Sequence, residues 1–351
     1  MLLTPGPVEL TPEISRAQTR EMIYHRTKEY REMHVGLIEK VRKLFRSDDG
    51  YVITGSGTAG IEASIVSMLG KEDVLFNPNN GKFGERIFEI ARIFSEKPPL
   101  EQRFEYGKGI DLERVRATID EKNPTILAMA YNETSTGVCN KIRDICLYAK
   151  KKGVITVIDG VSAVGGHELD MRGWGVDVCI TGSQKCIGAP PGLALIGINK
   201  SAIEKIESNS PKAYYLSLKR YRKSQERSEM PYTPAISLLY SLDAALDLVL
   251  KEGIANRIER HRRAGELVRR GLREMGFALF AESGFESNTV TSFKTADADR
   301  IKEELKAKYG ITIAGGQGEM KGKMLRIGHM ANFTEEQLRQ CLDAIKEIIA
   351  K

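Results

Sequence analysis

The sequence predicts an α/β fold: a large domain with a mostly parallel sheet between helices, followed by a smaller C-terminal α+β domain. Two patterns carry that expectation. Short apolar runs alternate with amphipathic segments through the first two-thirds of the chain, which is the rhythm of strand and helix crossovers; from Pro234 onward the pattern turns mainly helical. The length of 351 residues suits two domains at roughly 100–200 residues each, and the change of pattern places the boundary near residue 250, dividing the chain into 1–250 and 251–351.

The elements follow in order. Tyr51-Val-Ile53 reads as a strand leading into a helix that ends near Leu69, and Val74-Leu-Phe76 as a strand leading to a helix from Phe83. Thr125 to Tyr131 is a strand, followed by a helix ending near Lys152; Val154 to Ile158, Val176 to Thr181 and Leu193 to Ile198 are three more strands. Behind them, Ile236 to Leu250 has helical spacing, and after Gly253 a long amphipathic stretch runs to Met275. The second domain then reads as a strand at Thr289 to Phe293, a helix from Asp297 to Tyr309, strands near Ile311 and Leu325, and a last helix. Thr334-Glu-Glu-Gln337 opens that helix as a capping box, with a hydroxyl and an amide three residues apart able to satisfy each other's backbone N–H groups.

Composition narrows the function classes. Hydrophobic residues at 41% and charged residues at 28% describe an ordinary soluble globular chain. A net charge of +6 is mild at this length, and the densest basic stretch, Arg257 to Arg273, is interleaved with Glu at helical spacing. It reads as a solvated helix face, so no nucleic-acid partner is expected. Five cysteines (Cys139, Cys146, Cys179, Cys186, Cys341) form no C-x-x-C pair, which fits a reducing compartment with neither disulfides nor a zinc site. No run approaches the ~18 apolar residues of a membrane span, and the N-terminus MLLTPGPVEL lacks a leader pattern; a cytoplasmic location is the expectation.

Three stretches carry chemistry. Gly55-Ser-Gly-Thr-Ala-Gly60 follows a strand and opens a helix, so its backbone N–H groups face an anion at the positive end of the helix dipole. The same turn would equally serve to pack a helix on a sheet. Asp159 ends an apolar strand, where a carboxylate is costly unless paired; it either caps the turn Gly160-Val-Ser162 or balances a buried cation. Lys185, in Gly182-Ser-Gln-Lys-Cys-Ile-Gly-Ala-Pro-Pro-Gly192, stands 26 residues beyond Asp159, just after the neighbouring strand. A loop lysine is commonly a solvated charge, but one beside a carboxylate and a phosphate nest is placed for Schiff-base chemistry. A phosphate, an aldehyde that condenses with lysine and a ring nitrogen served by a carboxylate describe pyridoxal 5′-phosphate (PLP). Phe83, where a strand gives way to a helix, could stack on its ring; it could also be a core residue of that helix.

These residues resemble the class V, fold-type I PLP-dependent aminotransferases, most closely the serine–pyruvate and alanine–glyoxylate branch. The similarity runs over nearly the whole chain through Thr4-Pro-Gly-Pro7, Gly55-Ser-Gly-Thr58, Asn132-Glu-Thr-Ser-Thr-Gly137, Val157-Ile-Asp-Gly-Val161, Gly182-Ser-Gln-Lys185 with Ala189-Pro-Pro-Gly192, Tyr232-Thr-Pro234 and Leu325-Arg-Ile-Gly328. The resemblance implies that Lys185 carries the cofactor as a Schiff base and Asp159 pairs with its ring nitrogen. Val161 would pack on one ring face and Phe83 on the other, where many relatives have Trp. Ser56, Gly57, Thr58 and Gln184 would bind the phosphate, and Thr134 the ring hydroxyl region. Thr233 would reach the phosphate of a second subunit, implying a homodimer with a shared active site. Arg326 would grip the substrate carboxylate, with Gly6 lining the same pocket. The tyrosine that relatives place three residues before that threonine is Met230 here, with Tyr232 its nearest stand-in.

The implied activity moves the amino group of serine, alanine or aspartate to a 2-oxo acid such as pyruvate or glyoxylate. Aspartate would need a second cation, for which His25-Arg26 is a candidate; a structural or interface pair is the other reading of those two residues. A PLP-dependent lyase or desulfurase, which requires a mobile cysteine, and a 2-aminoethylphosphonate-type transaminase are the alternatives within the cofactor class. An NAD(P)-dependent oxidoreductase is a further alternative, although Asn77 stands where a dinucleotide site has an acid. A non-catalytic binding protein is the remaining one.

Overall fold

The computed structural model describes residues 1–350. Nine strands precede residue 200: β1 (Asp49–Thr54), β2 (Leu75–Asn79), β3 (Leu100–Arg103), β4 (Ile126–Ala130), β5 (Asn132–Glu133), β6 (Val138–Cys139), β7 (Ile155–Asp159), β8 (Val178–Gly182) and β9 (Leu193–Ile198). Seven form one sheet in the order β1-β9-β8-β7-β4-β2-β3, with β5 and β6 paired as a separate small hairpin. Only β9 opposes its neighbours; β8, β7, β4, β2 and β3 pair in parallel. Helices cover the sheet, so β4, β8 and β9 are buried along their whole length, the reason they read as continuous apolar runs.

The helix Gly57–Met68 lies close to this sheet because two glycines allow it. A β-carbon at Gly57 would stand 2.7 Å from Val161 Cγ2, and one at Gly60 would stand 2.7 Å from Ile180 Cγ2. Elements the sequence pattern does not mark include the edge strand β3, whose residues are half-buried or exposed, and the helices Lys28–Phe45 and Leu112–Lys122. Thr27 and Asp111 cap those two helices through their side chains.

A second sheet holds β10 (Val290–Lys294), β11 (Ala314–Gly315) and β12 (Met324–Gly328), ordered β10-β12-β11 and antiparallel throughout. Helices Ile254–Glu274, Ala298–Tyr309 and Glu335–Ile349 pack against it around a separate core that includes Val268, Phe293, Ile301, Leu325, Ile327 and Ile345. Thr334 and Gln337 make the expected reciprocal capping box. The strand expected near Ile311 begins later: Thr312 instead pairs with Leu2, and β11 starts at Ala314. The first three residues thereby join the second sheet, with Leu3 buried in its core and Gly328 N donating to Leu3 O at 2.7 Å. Among the described residues no helix is long and apolar enough to cross a membrane.

Candidate active site

The carboxyl ends of β1, β7 and β8 form one rim, the place where open α/β sheets gather ligands. Asp159 closes β7 opposite Ile180 of β8. It is 5% exposed. Its Oδ1 accepts from Val161 N at 2.9 Å, so it does cap the following turn. Burial pushes its carboxyl up to about 6, with the Val161 bond and the cations Lys185 and Arg86 pulling down against nearby Glu133.

Lys185 sits in the turn Ser183–Ile187 directly after β8, where its backbone leaves helical geometry. Its Nζ donates to Pro5 O. Burial lowers this amine to about 8, opposed by Cys186 and Asp159 and assisted by Arg326 and Arg86. Gly6 completes the contact: a β-carbon there would lie 2.6 Å from Lys185 Cδ and 2.9 Å from Nζ, at a backbone φ of +91°. Glycine is required on both counts.

The helix N-terminus at the end of β1 supplies an anion cradle. Ser56 is exposed, occupies the cap position of Gly57–Met68 and spends no side-chain hydrogen bond on the cap. Thr58 Oγ1 accepts from Arg86 Nη1 at 3.2 Å, and the Arg86 guanidinium lies 4.8 Å from the centroid of the Phe83 ring. Gln184 Oε1 is buried without a hydrogen-bond partner among the described residues. A buried polar atom in that condition is costly, and this acceptor lies in the same turn as Lys185, where a donor on a ligand would satisfy it. With Val161 packed over Gly57 and half-buried Phe83 nearby, the residues present fit PLP.

Arg326 reaches the site from the other sheet by strand alternation. Leu325 and Ile327 face the second core, so the intervening side chain turns the opposite way. Its Nε donates to Gly315 O at 2.9 Å and Nη1 to Thr134 O at 3.1 Å. A guanidinium has five N–H donors, so most of this one remains for an anion. Thr134 itself is buried, its hydroxyl 2.6 Å from Ser162 Oγ.

Thr233 is not brought to these residues by side-chain contact. It is exposed, in a segment held by the bond from Tyr232 OH to Tyr214 O at 2.7 Å and by Tyr232 stacking on Tyr215. Met230 is buried. Arg26 is engaged on Glu229 at 2.5 Å and on Met230 O at 3.1 Å, which makes it a structural partner of that segment.

Two contributors escape sequence reasoning. Arg86 stands one helical turn beyond Phe83, a spacing that puts both on one face and could have drawn attention. Glu133, fully buried, accepts from Phe83 N and Gly84 N at 3.1 and 2.9 Å, and so fixes the start of the helix Lys82–Phe94 on which Phe83 stands. Burial holds its carboxyl above the usual range. Its trace in the sequence is its place in the run Asn132-Glu-Thr-Ser-Thr-Gly137 after an apolar strand, where the neighbouring Thr134 drew the attention.

The family described as "Aminotransferase class-V" matches residues 13–340. A protein of Methanocaldococcus jannaschii named an uncharacterized aminotransferase is 38% identical, covering 99% of this chain and 91% of that protein. The serine–glyoxylate aminotransferase of Arabidopsis thaliana is 30% identical over 99% of this chain and 90% of its own length. Among solved structures, the ureidoglycine–glyoxylate aminotransferase of Bacillus subtilis superposes with a TM-score of 0.95 at 29% identity, covering 99% and 92% of the two chains.

Proposed function

Since the chain belongs to the class-V aminotransferases, we propose that it transfers the amino group of a small amino acid, serine or alanine, to glyoxylate or pyruvate. That it is a PLP-dependent transaminase acting toward a 2-oxo acid follows from the family. The observation that carries the reading is a desolvated lysine and a buried aspartate at one strand-end rim, met by a carbonyl-anchored arginine from the second sheet.

When bound, PLP supplies an aldehyde for a lysine amine and a ring that withdraws electrons from the carbon losing its proton. The protein's part is then as follows. Lys185, with its amine lowered to about 8, is neutral in a useful fraction near neutral pH and so would hold the cofactor through its aldehyde and serve as the base for the substrate α-proton. Asp159 would present its carboxylate to the ring nitrogen and favour the protonated ring. Ser56, Thr58, Gln184 and the N–H groups at Gly57 hold the phosphate, and Arg86 adds a cation beside Thr58. Arg326 offers its free donors to the α-carboxylate in a planar fork, with Thr134 O and Gly315 O fixing its plane.

A small donor with one carboxylate suits this set, because Arg26 is occupied by Glu229 and Met230. A desulfurase finds little support: Cys186 and Cys341 are fully buried, and burial pushes both thiols up to about 12. The oxidoreductase reading also lacks its acid, since Asn77 is buried and donates to Ala128 O. Exposure of Thr233 supports a homodimer in which this residue serves the partner's phosphate. Free thiols throughout support a cytoplasmic setting.

Visible spectra recorded during separate titrations with serine, alanine, aspartate and aminoethylphosphonate test the donor. Bleaching of the cofactor band by serine or alanine, with release of the matching oxo acid, is the expected result. A response to aspartate or aminoethylphosphonate alone would reject the proposed donor class.

A further inference from the structure

We propose that Arg257 is a positioning residue for Lys185, an inference that rests on Lys185 being the cofactor-bearing amine. Arg257 belongs to the helix Ile254–Glu274 of the second core and is 4% exposed. Its Nε and Nη2 both donate to the carbonyl oxygen of Cys186, at 3.2 and 2.7 Å. Cys186 is the residue directly after Lys185. The third nitrogen, Nη1, donates to Glu252 Oε2 at 2.6 Å, and Glu252 also takes Arg260 through Nε at 2.7 Å. Glu252 ends the preceding helix, Ile236–Glu252, and Gly253 turns the chain between the two. A carboxylate closing one helix thus sets the plane of a guanidinium on the next, and that plane sets the turn from which Lys185 projects.

A buried guanidinium is a demanding way to satisfy one carbonyl. Burial, aided by the nearby Arg260, pulls the charge of Arg257 down against the support of Glu252, and a neutral donor suffices two residues later, where Asn332 Nδ2 donates to Gly188 O at 3.2 Å. What the guanidinium adds is direction: two parallel N–H groups in one rigid plane fix the carbonyl's orientation, which an ammonium or a single amide cannot do. Direction matters here because Lys185 leaves helical geometry within its own turn, while its side chain is threaded between Gly6 and Pro5 O. Rotation of the next peptide would swing the amine away from that path. The same contact joins the second core, which carries Arg326, to the turn that carries Lys185.

The test uses PLP-loaded Arg257→Lys and Glu252→Gln, with melting curves to verify folding. Lys185 faces Asp159, Arg326, Arg86 and the Cys186 thiol, all unaltered by these changes, so a shift in its titration reports its placement. For Arg257→Lys, kcat with L-serine and L-alanine falls at least about tenfold while KM stays within about twofold. The pH midpoint of the cofactor's visible absorbance moves upward by at least about half a unit, since a less buried lysine nitrogen keeps its proton to higher pH. Glu252→Gln shifts both in the same direction, and it decides the matter if Arg257→Lys does not fold. Wild-type kcat and midpoint in a folded variant would overturn the proposal alone. Wild-type protein that gains no visible absorbance with PLP would overturn the assignment of Lys185 and this proposal together.

Discussion

The rim of the seven-stranded sheet and the strand β12 of the second sheet each bring a cation to the same site, and they treat its charge in opposite ways. Lys185 is removed from water, given one backbone carbonyl as acceptor, and held at about 8; its charge is therefore easily lost and regained. Arg326 is also drawn out of water, at 6% exposed. Burial lowers its pKa as well, with Glu133 pulling the other way, but a guanidinium starts so high that it stays charged, and two carbonyls from different parts of the chain hold it in place. Desolvation acting on lysine makes an amine that gives up its charge readily, whereas desolvation acting on an anchored arginine leaves the charge permanent.

Substitutions at the two places should separate these roles. Lys185→Ala is the severest: turnover falls by more than ~10⁴-fold, because cofactor attachment and proton transfer are lost together, while the melting curve shows a folded chain. Release of oxo acid within tenfold of wild type would remove the rim from the chemistry. Arg326→Lys keeps a cation and loses the fork, so KM for the amino donor rises about 10- to 100-fold with the resting spectrum unchanged. An altered resting spectrum with a normal KM would mean that the second sheet serves the cofactor instead. The smallest effect concerns stability. The Asp159 carboxyl, at about 6 in the fold against an ordinary 3.8, contributes stability below pH 4 that is lost as pH rises through 6. Asp159→Asn should therefore stabilise the cofactor-free protein by up to about 3 kcal/mol at pH 7, the difference from wild type vanishing below pH 4. Thermal melts across that range check the sign; an Asn variant less stable at pH 7 would contradict the burial argument.

How much could be read beforehand follows from the same contrast. Asp159, Lys185 and the Gly55–Gly60 turn lie where an apolar strand gives way to a polar turn, a local change of pattern that a sequence displays directly. Strands β7, β8 and β9 are legible for the same reason, although β8 runs Val178–Gly182 and so is displaced by a residue or two from the apolar run. Residues whose role comes from distant contacts are not legible. Arg257 sits among solvated arginines of similar spacing, and only its approach to Cys186 O sets it apart. Glu133 is known by the helix it caps, about 50 residues earlier in the chain. The pairing of Leu2 with Thr312 ties the N-terminus to a segment far along the chain, and no periodicity announces it.

Reduction of the PLP-loaded protein with borohydride, followed by mass spectrometry of its peptides, tests the central claim most directly. The account predicts a pyridoxyl group fixed on the peptide containing Lys185, and on no peptide when Lys185 is replaced by Ala. Label on a different lysine, Lys82 for instance, or equal label in the Ala variant would contradict it.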